Sequence, residues 1–399
     1  MVDLTQWYGP HSGGIRTYLH AKARWARGAG LAHAAIVSGR ASGEEAVAGS
    51  PFVHVRGLSP VGRRWGYRLV PRPGAVLSAL DALEPSVVVL HDALAHPRAV
   101  AAWARPRGVA VCMVCHSDLT LAAQGLPRPL RAPVGAALGR VQRRGLTPPD
   151  VVFASSRALG ARVGPVAGAP IVRSPLGIDL AEFAAARPDP RLRAELASPE
   201  VPLLLYAGRL SSEKRLDLLP AALAALEEPA VLAVAGFGAA ESAFRRRATR
   251  LGVADRLRML GHVADRSRLA RLMATADVFL HPNPTEPYGL APLEALAAGC
   301  RVVAPDAHGS RETLGGRGAV LVAPSDPAAL ADGVRRALRL PRPRPELGDL
   351  DWGRTFTREW ACYRALVGDA TLEGPGVSGP GPRMARETPM PAPAGEVAA

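Results

Sequence analysis

Short apolar runs rich in β-branched residues and leucine recur along this 399-residue chain, and stretches of helical length separate them. VVVL (87–90), VAVCMVC (109–115) and VVFAS (151–155) form a first series. LLLYAG (203–208), VLAVAG (231–236), VFLHP (278–282), RVVAP (301–305) and AVLVAP (319–324) form a second. Runs without polar alternation suit parallel strands buried on both faces. Between the later runs lie Ala/Leu/Arg stretches at 215–226, 239–251, 266–275 and 289–299, which read as helices. Strand–helix alternation predicts an α/β fold with parallel sheets, and two series predict two doubly wound, Rossmann-like domains.

The junction between them falls at 184–200, where Pro188, Pro190 and Pro199 interrupt the apolar pattern. A second break lies at 340–350, LPRPRPELGDL. After it, 351–368 reads as one amphipathic helix with Trp352, Phe356, Trp360 and Tyr363 near one face. These breaks divide the chain into a domain 1–185, a linker 186–200, a domain 201–345, a terminal helical segment 346–368 and a disordered Gly/Pro/Ala/Glu-rich tail 369–399. An apolar content of 48% excludes wholesale disorder. No apolar run reaches the roughly 18 residues needed to span a bilayer. The opening MVDLTQWYGP lacks a basic segment followed by an apolar one, so it does not read as a signal peptide. It offers only a short first strand, which leaves a start further upstream as an alternative. Four cysteines fit a reducing compartment. Cys112 and Cys115 lie inside an apolar strand, where their side chains would face opposite sides, so they read as buried structural thiols; Cys300 and Cys362 read likewise.

In paired α/β domains, ligands bind at the C-terminal ends of strands. The chemistry-bearing residues of this chain cluster just after its apolar runs. Gly13 and Gly14 precede the helix IRTYLHAKARWA, where backbone amides could approach an anion; a turn needing positive φ would use the same glycines. Arg209 and Lys214, in GRLSSEK, could clamp a diphosphate, or simply be solvated loop charges. Gly236, in AGFGAAE, permits either close ligand approach or a plain turn. Glu286 and Glu294 are eight positions apart in EPYGLAPLEALAAG. The helix starting near Gly289 would offer the N–H groups of Leu290 and Ala291 to phosphate oxygens.

GRLSSEKRLDLL, AGFGAAE, LGHV, EPYGLAPLEALAAGCRVVAPD and SPLGIDLAEF occur in the order and at the spacing of one family. Together with SGGIRTYL and AVCMVCHSD, they resemble the retaining glycosyltransferases of family 4, with the GT-B fold, across residues 1 to about 366. The resemblance implies two Rossmann-like domains facing a central cleft, with the C-terminal helix returning to the N-terminal domain. It implies that residues 1–185 bind the acceptor and 201–345 the nucleotide sugar. Arg209 and Lys214 are implied to bind the diphosphate in place of a metal, so neither a cofactor nor a metal is expected. Glu286 is implied to bind the donor sugar, with backbone contacts from Gly289, Leu290 and Ala291. Glu294 is implied to bind the ribose, Gly13 and Gly14 to lie by the diphosphate, Gly236 by the donor, Gly261 and Val263 by the base, and His116 by the transferred sugar.

The activity implied is transfer of a hexose, with retention, from a nucleotide-diphosphate sugar to a hydroxyl of a lipid or glycan. The likeness is to bacterial mannosyl- and glucosyltransferases, favouring GDP-mannose over UDP-glucose. A sugar-nucleotide epimerase shares the architecture; E-x7-E beside GR…EK favours transfer. An inactive donor-binding protein is the non-catalytic alternative, and the retained Glu286, Arg209, Lys214 and His116 argue against it. The common NGID of relatives is LGID here, Leu176 to Asp179. Asp349 and Asp351 spell D-x-D but precede the terminal helix, so Asp351 reads as its N-cap.

The net charge is +14. Residues 1–180 hold 21 of the 49 basic residues but only 9 of the 35 acids, so 12 of the 14 surplus charges sit there. All but two of the cations are arginines; the lysines are Lys22 and Lys214. The basic segments 63–73, with Trp65 and Tyr67, and 128–144 would suit an anionic membrane surface, the alternative being an arginine-rich solvated face. No nucleic-acid motif accompanies the charge. The expected location is cytoplasmic, peripheral at the inner face of the plasma membrane.

Overall fold

The computed structural model describes residues 1–9, 13–59, 68–126 and 128–368. The tail 369–399 and residues 63–67 of the first basic segment, including Trp65 and Tyr67, lie outside the described residues. The strands are β1 (Val2–Thr5), β2 (Ala34–Gly39), β3 (Gly43–Val47), β4 (Ser50–Arg56), β5 (Val87–Leu90), β6 (Ala110–Cys115), β7 (Val151–Ala154) and β8 (Ile171–Arg173) in the first half. The second half holds β9 (Leu203–Ala207), β10 (Val231–Ala235), β11 (Leu257–Gly261), β12 (Val278–Leu280), β13 (Arg301–Pro305) and β14 (Val320–Val322).

They form two sheets, in the orders β3-β4-β2-β1-β5-β6-β7-β8 and β11-β10-β9-β12-β13-β14. Among the described strands every pairing is parallel except β3 with β4. The short β1 is central, paired with β2 and β5, and buried throughout. Within β6, Cys112 and Val114 face one buried layer and Met113 and Cys115 the other. All four thiols are unpaired, and burial pushes Cys115 up to about 12, so it is an inert packing group.

The proline-rich junction is more ordered than its composition predicts. Asp189 Oδ1 accepts from the N–H groups of Arg191 and Leu192 at 3.0 and 3.2 Å and starts a helix, Pro190–Leu196. Pro190 occupies its first turn, where a missing N–H costs nothing.

The terminal helix, Trp352–Val367, returns to the first domain. Asp351 caps it, its Oδ1 accepting from Gly353 N at 2.7 Å. Phe356 packs against Tyr18 and Trp25 of the first helix, Gly14–Gly28, with centroids at 5.2 and 5.7 Å. The LGID segment runs beside the start of this helix. A Cβ on Gly177 would stand 2.4 Å from Trp352 N, and Ile178 bridges to Asp351. The two chain crossings between domains therefore lie side by side.

Beneath the first domain's strands sits a buried charged cluster. Lys22 Nζ donates to Asp3 Oδ1 at 2.8 Å and to the Tyr363 hydroxyl at 3.2 Å, and lies 3.9 Å from Glu359 Oε2. Tyr18 donates to the same carboxylate of Glu359, and Ser174 donates to its other oxygen at 3.0 Å. All three charged side chains are 0% exposed.

Candidate active site

In the second domain, the chain leaves β9 through Gly208 and Arg209 into a turn, Ser212–Lys214. The neighbouring β10 leaves through Gly236. A Cβ there would lie 1.9 Å from the Gly208 carbonyl oxygen, so glycine at 236 is demanded by the adjacent loop. Lys214 Nζ donates to Glu286 Oε2 at 2.6 Å, and Asn283 Nδ2 donates to the same oxygen at 3.0 Å. Burial pushes the Glu286 carboxyl up, but Lys214, His281 and Asn283 together outweigh it and hold the group down at about 2. His281 is buried 3.9 Å from that oxygen, and burial holds it near 4, so it is neutral at physiological pH.

The loop bearing Glu286 is fixed from several sides. Gly309 N donates to Glu286 O at 3.2 Å, Tyr288 donates its hydroxyl to Leu176 O at 2.7 Å, and Ser156 Oγ donates to Pro287 O at 2.8 Å. Gly289 then takes φ +90°, a left-handed turn into the helix Leu290–Ala297. Gly14 comes to this helix start from the opposite domain; a Cβ on it would lie 3.6 Å from Leu290 Cδ1. Glu286, Lys214, Leu290 and Gly14 are therefore brought to one place.

Arg209 lies on the same loop as Lys214. Its side chain is 46% exposed, and Nη2 stands 4.0 Å from Glu213 Oε1. Gly13 and Gly14 are exposed at the first helix's start. Gly261 ends β11 and accepts from Gly236 N at 2.7 Å; Val263 is half-buried beyond it, and Ala291 half-buried in the first turn of its helix.

Glu294 is buried, and its partner was not visible in the sequence. Arg266 Nη2 donates to Glu294 Oε1 at 2.7 Å and to Asp179 Oδ2 at 3.1 Å. Arg24 of the first domain donates to the other oxygen of Asp179 at 3.1 Å. Burial raises the Glu294 carboxyl, against the pull of Arg266. In the sequence Arg266 only opens the helical stretch 266–275, which carries no signal of a partner 28 residues away. Of the D-x-D spelling, Asp349 pairs with Arg317 at 2.8 Å while Asp351 caps the terminal helix.

In the first domain, His116 follows β6 and its Nε2 lies 2.9 Å from His91 Nδ1. Both border a pocket of about 60 Å³ with Trp7, Ile15, Met113 and Gln142.

Two parallel-sheet domains whose glycine turn, cation loop and carboxylate-bearing helix start converge in this way define a GT-B glycosyltransferase. The structure resembles sucrose-phosphate synthase from Thermosynechococcus elongatus, with TM-score 0.70 at 21% identity over 92% of this chain and 93% of that one. It also resembles Anabaena HepE in complex with UDP and glucose, with TM-score 0.64 at 20% identity over 91% and 94%. Residues 12–182 match the family described as Glycosyltransferase Family 4, and residues 189–349 match Glycosyl transferases group 1. The GDP-mannose-dependent alpha-(1-6)-phosphatidylinositol dimannoside mannosyltransferase of Mycobacterium tuberculosis is 32% identical over 345 residues, covering 86% of this chain and 88% of that relative. D-inositol 3-phosphate glycosyltransferase 2 of Catenulispora acidiphila is 35% identical over 209 residues, 48% of each chain. The chain belongs to this glycosyltransferase family and is a transferase.

Proposed function

We propose that the enzyme transfers a mannosyl group, with retention, from GDP-mannose to a hydroxyl of a lipid-linked or glycan acceptor, with UDP-glucose the next donor. The observation that carries this reading is the 2.6 Å Lys214–Glu286 pair at the start of the helix Leu290–Ala297. It sets a cation for a diphosphate beside an ionised acceptor for sugar hydroxyls, at a helix terminus that favours anions. The mannosyltransferase relative supports the choice of donor and a phosphoinositide-like acceptor.

In this reading the acceptor oxygen bonds to the anomeric carbon on the face the diphosphate leaves. The bond to the phosphate oxygen breaks, and the acceptor's proton passes to that oxygen. Arg209 and Lys214 stabilise the growing charge, and the remaining groups orient the reactants. Titration calorimetry with GDP and UDP tests the donor side. GDP should bind more tightly, and Arg209→Ala should weaken it by about 2 kcal/mol, as for loss of a charged partner. Unchanged GDP affinity would remove Arg209 from the clamp, and transfer of neither mannose nor glucose would overturn the donor class.

The helix Arg128–Leu146 supports an acceptor at a membrane surface, with the enzyme peripheral at the inner face of the plasma membrane. It exposes Arg128, Arg131, Arg140, Arg143 and Arg144, contains no acid, and leaves Leu130 48% exposed. Its far end, Gln142 and Leu146, lines the His116 pocket. Among the described residues no helix is long and apolar enough to cross a membrane. The enzyme should sediment with phosphatidylglycerol vesicles at low salt and be released at high salt. Equal sedimentation with neutral phosphatidylcholine vesicles would discard the electrostatic reading.

A further inference from the structure

The buried cluster beneath β1 does more than neutralise charge, because it ends on His116. Asp3 Oδ1 accepts from Lys22 Nζ at 2.8 Å and from His91 Nε2 at 2.9 Å. Its Oδ2 accepts from His33 Nε2 at 2.7 Å. An ionised carboxylate only accepts hydrogen bonds, so each imidazole must present a proton to it. The neutral form of His91 therefore carries its proton on Nε2 and leaves Nδ1 bare. His116 Nε2, 2.9 Å from that bare nitrogen, must then be the donor.

The surroundings hold this arrangement. The His91 and His116 rings are within 18° of coplanar, with centroids 5.2 Å apart, so the bond lies in the ring planes where the proton and lone pair point. Tyr18 stands edge-on to both rings, at 5.1 and 5.5 Å. Lys22 supplies the positive charge that keeps Asp3 ionised. Glu359 accepts from Tyr18, Tyr363 and Ser174 and lies 3.9 Å from Lys22 Nζ, so neither imidazole donates to it.

We infer that His91 is a positioning residue: held by Asp3, it fixes His116 as the Nε2–H tautomer and leaves His116 Nδ1 as a hydrogen-bond acceptor for a substrate hydroxyl. This deepens the glycosyl-transfer reading and rests on it for the identity of that hydroxyl. The tautomer itself does not depend on that reading.

The test is a two-bond ¹⁵N–¹H correlation spectrum of the full chain labelled at histidine, without donor or acceptor. His116 is assigned by the signal lost in His116→Gln. The expected pattern at neutral pH is the Nε2–H tautomer. His91→Leu should mix the His116 tautomers and lower kcat by about 10- to 100-fold, as for loss of an orienting partner, with donor KM within about threefold. His91→Gln, which can donate to Asp3 and accept from His116, should restore the tautomer and most of the rate. An Nδ1–H pattern in the wild type, or an unchanged His116 tautomer in His91→Leu, would overturn the assignment. Should the leucine variant not fold, the wild-type spectrum still decides. An enzyme inactive on every nucleotide sugar yet showing the Nε2–H pattern would count against the glycosyl-transfer reading alone.

Discussion

Glu286→Gln should lower the rate of sugar transfer by about three orders of magnitude while leaving the fold intact. The amide keeps the size and one acceptor oxygen but loses the charge. Hydrogen bonds to an ionised acceptor are roughly twice as strong as neutral ones. A preorganised polar group lost from a dry site typically costs 10²- to 10³-fold in rate, and Lys214 here also loses the anion 2.6 Å away. Initial rates at saturating donor measure it, with thermal unfolding as the control. A rate within tenfold of wild type would displace Glu286 from the site. The pH dependence is specific as well. The carboxyl is held at about 2, so it stays ionised throughout the working range, and its protonation would remove activity only as pH falls towards that value. An acid limb near pH 4 or 5 would belong to another group.

Lys22→Met should destabilise the protein by about 3–5 kcal/mol, the cost of leaving buried carboxylates without their cation. Asp3 and Glu359 both face Lys22 Nζ in a region closed to solvent. Burial pushes the Asp3 carboxyl up, and Lys22, His33 and His91 together bring it well below 3.8. Its contribution to stability is therefore full above that ordinary value and drains as pH falls below it. Lys22→Met removes most of that contribution at neutral pH. Urea unfolding at pH 7 would register the loss, and Lys22→Met with Asp3→Asn should regain part of it, because the pair is coupled. A loss under about 0.5 kcal/mol would mean the cluster is not an energetic unit.

The strands that carry the site were legible because both their faces are buried. LLLYA, VLAVA and RVVAP contain no polar alternation, and each became a parallel strand. Five strands, β2, β3, β4, β8 and β11, were not legible. GEEAV of β3 is exposed along most of its length, LRMLG of β11 has an arginine inside it, IVR of β8 is three residues long, and AAIVSG and SPFVHVR of β2 and β4 mix small or polar residues into their runs. Site residues just after strands were found because a short motif held them together, as with Arg209 and Lys214. What joins motifs was invisible. Lys214 and Glu286 are 72 residues apart, Arg266 and Asp179 are 87, and Tyr18 and Glu359 are 341. Periodicity reports which face of an element is buried and says nothing about which distant charge meets it there. His91 and Asp3 were passed over for this reason, each sitting unmarked in or beside an apolar run.

The return of the terminal helix has a consequence for biosynthesis. Glu359 and Tyr363 close the cluster around Lys22, and in sequence the second domain lies between them and the rest of the first domain. In order of translation, the second domain is an insertion within the first. A ribosome must therefore make the whole second domain before the first domain receives its last wall. Until then Lys22 and Asp3 face an open seam, so the domain begun first is finished last.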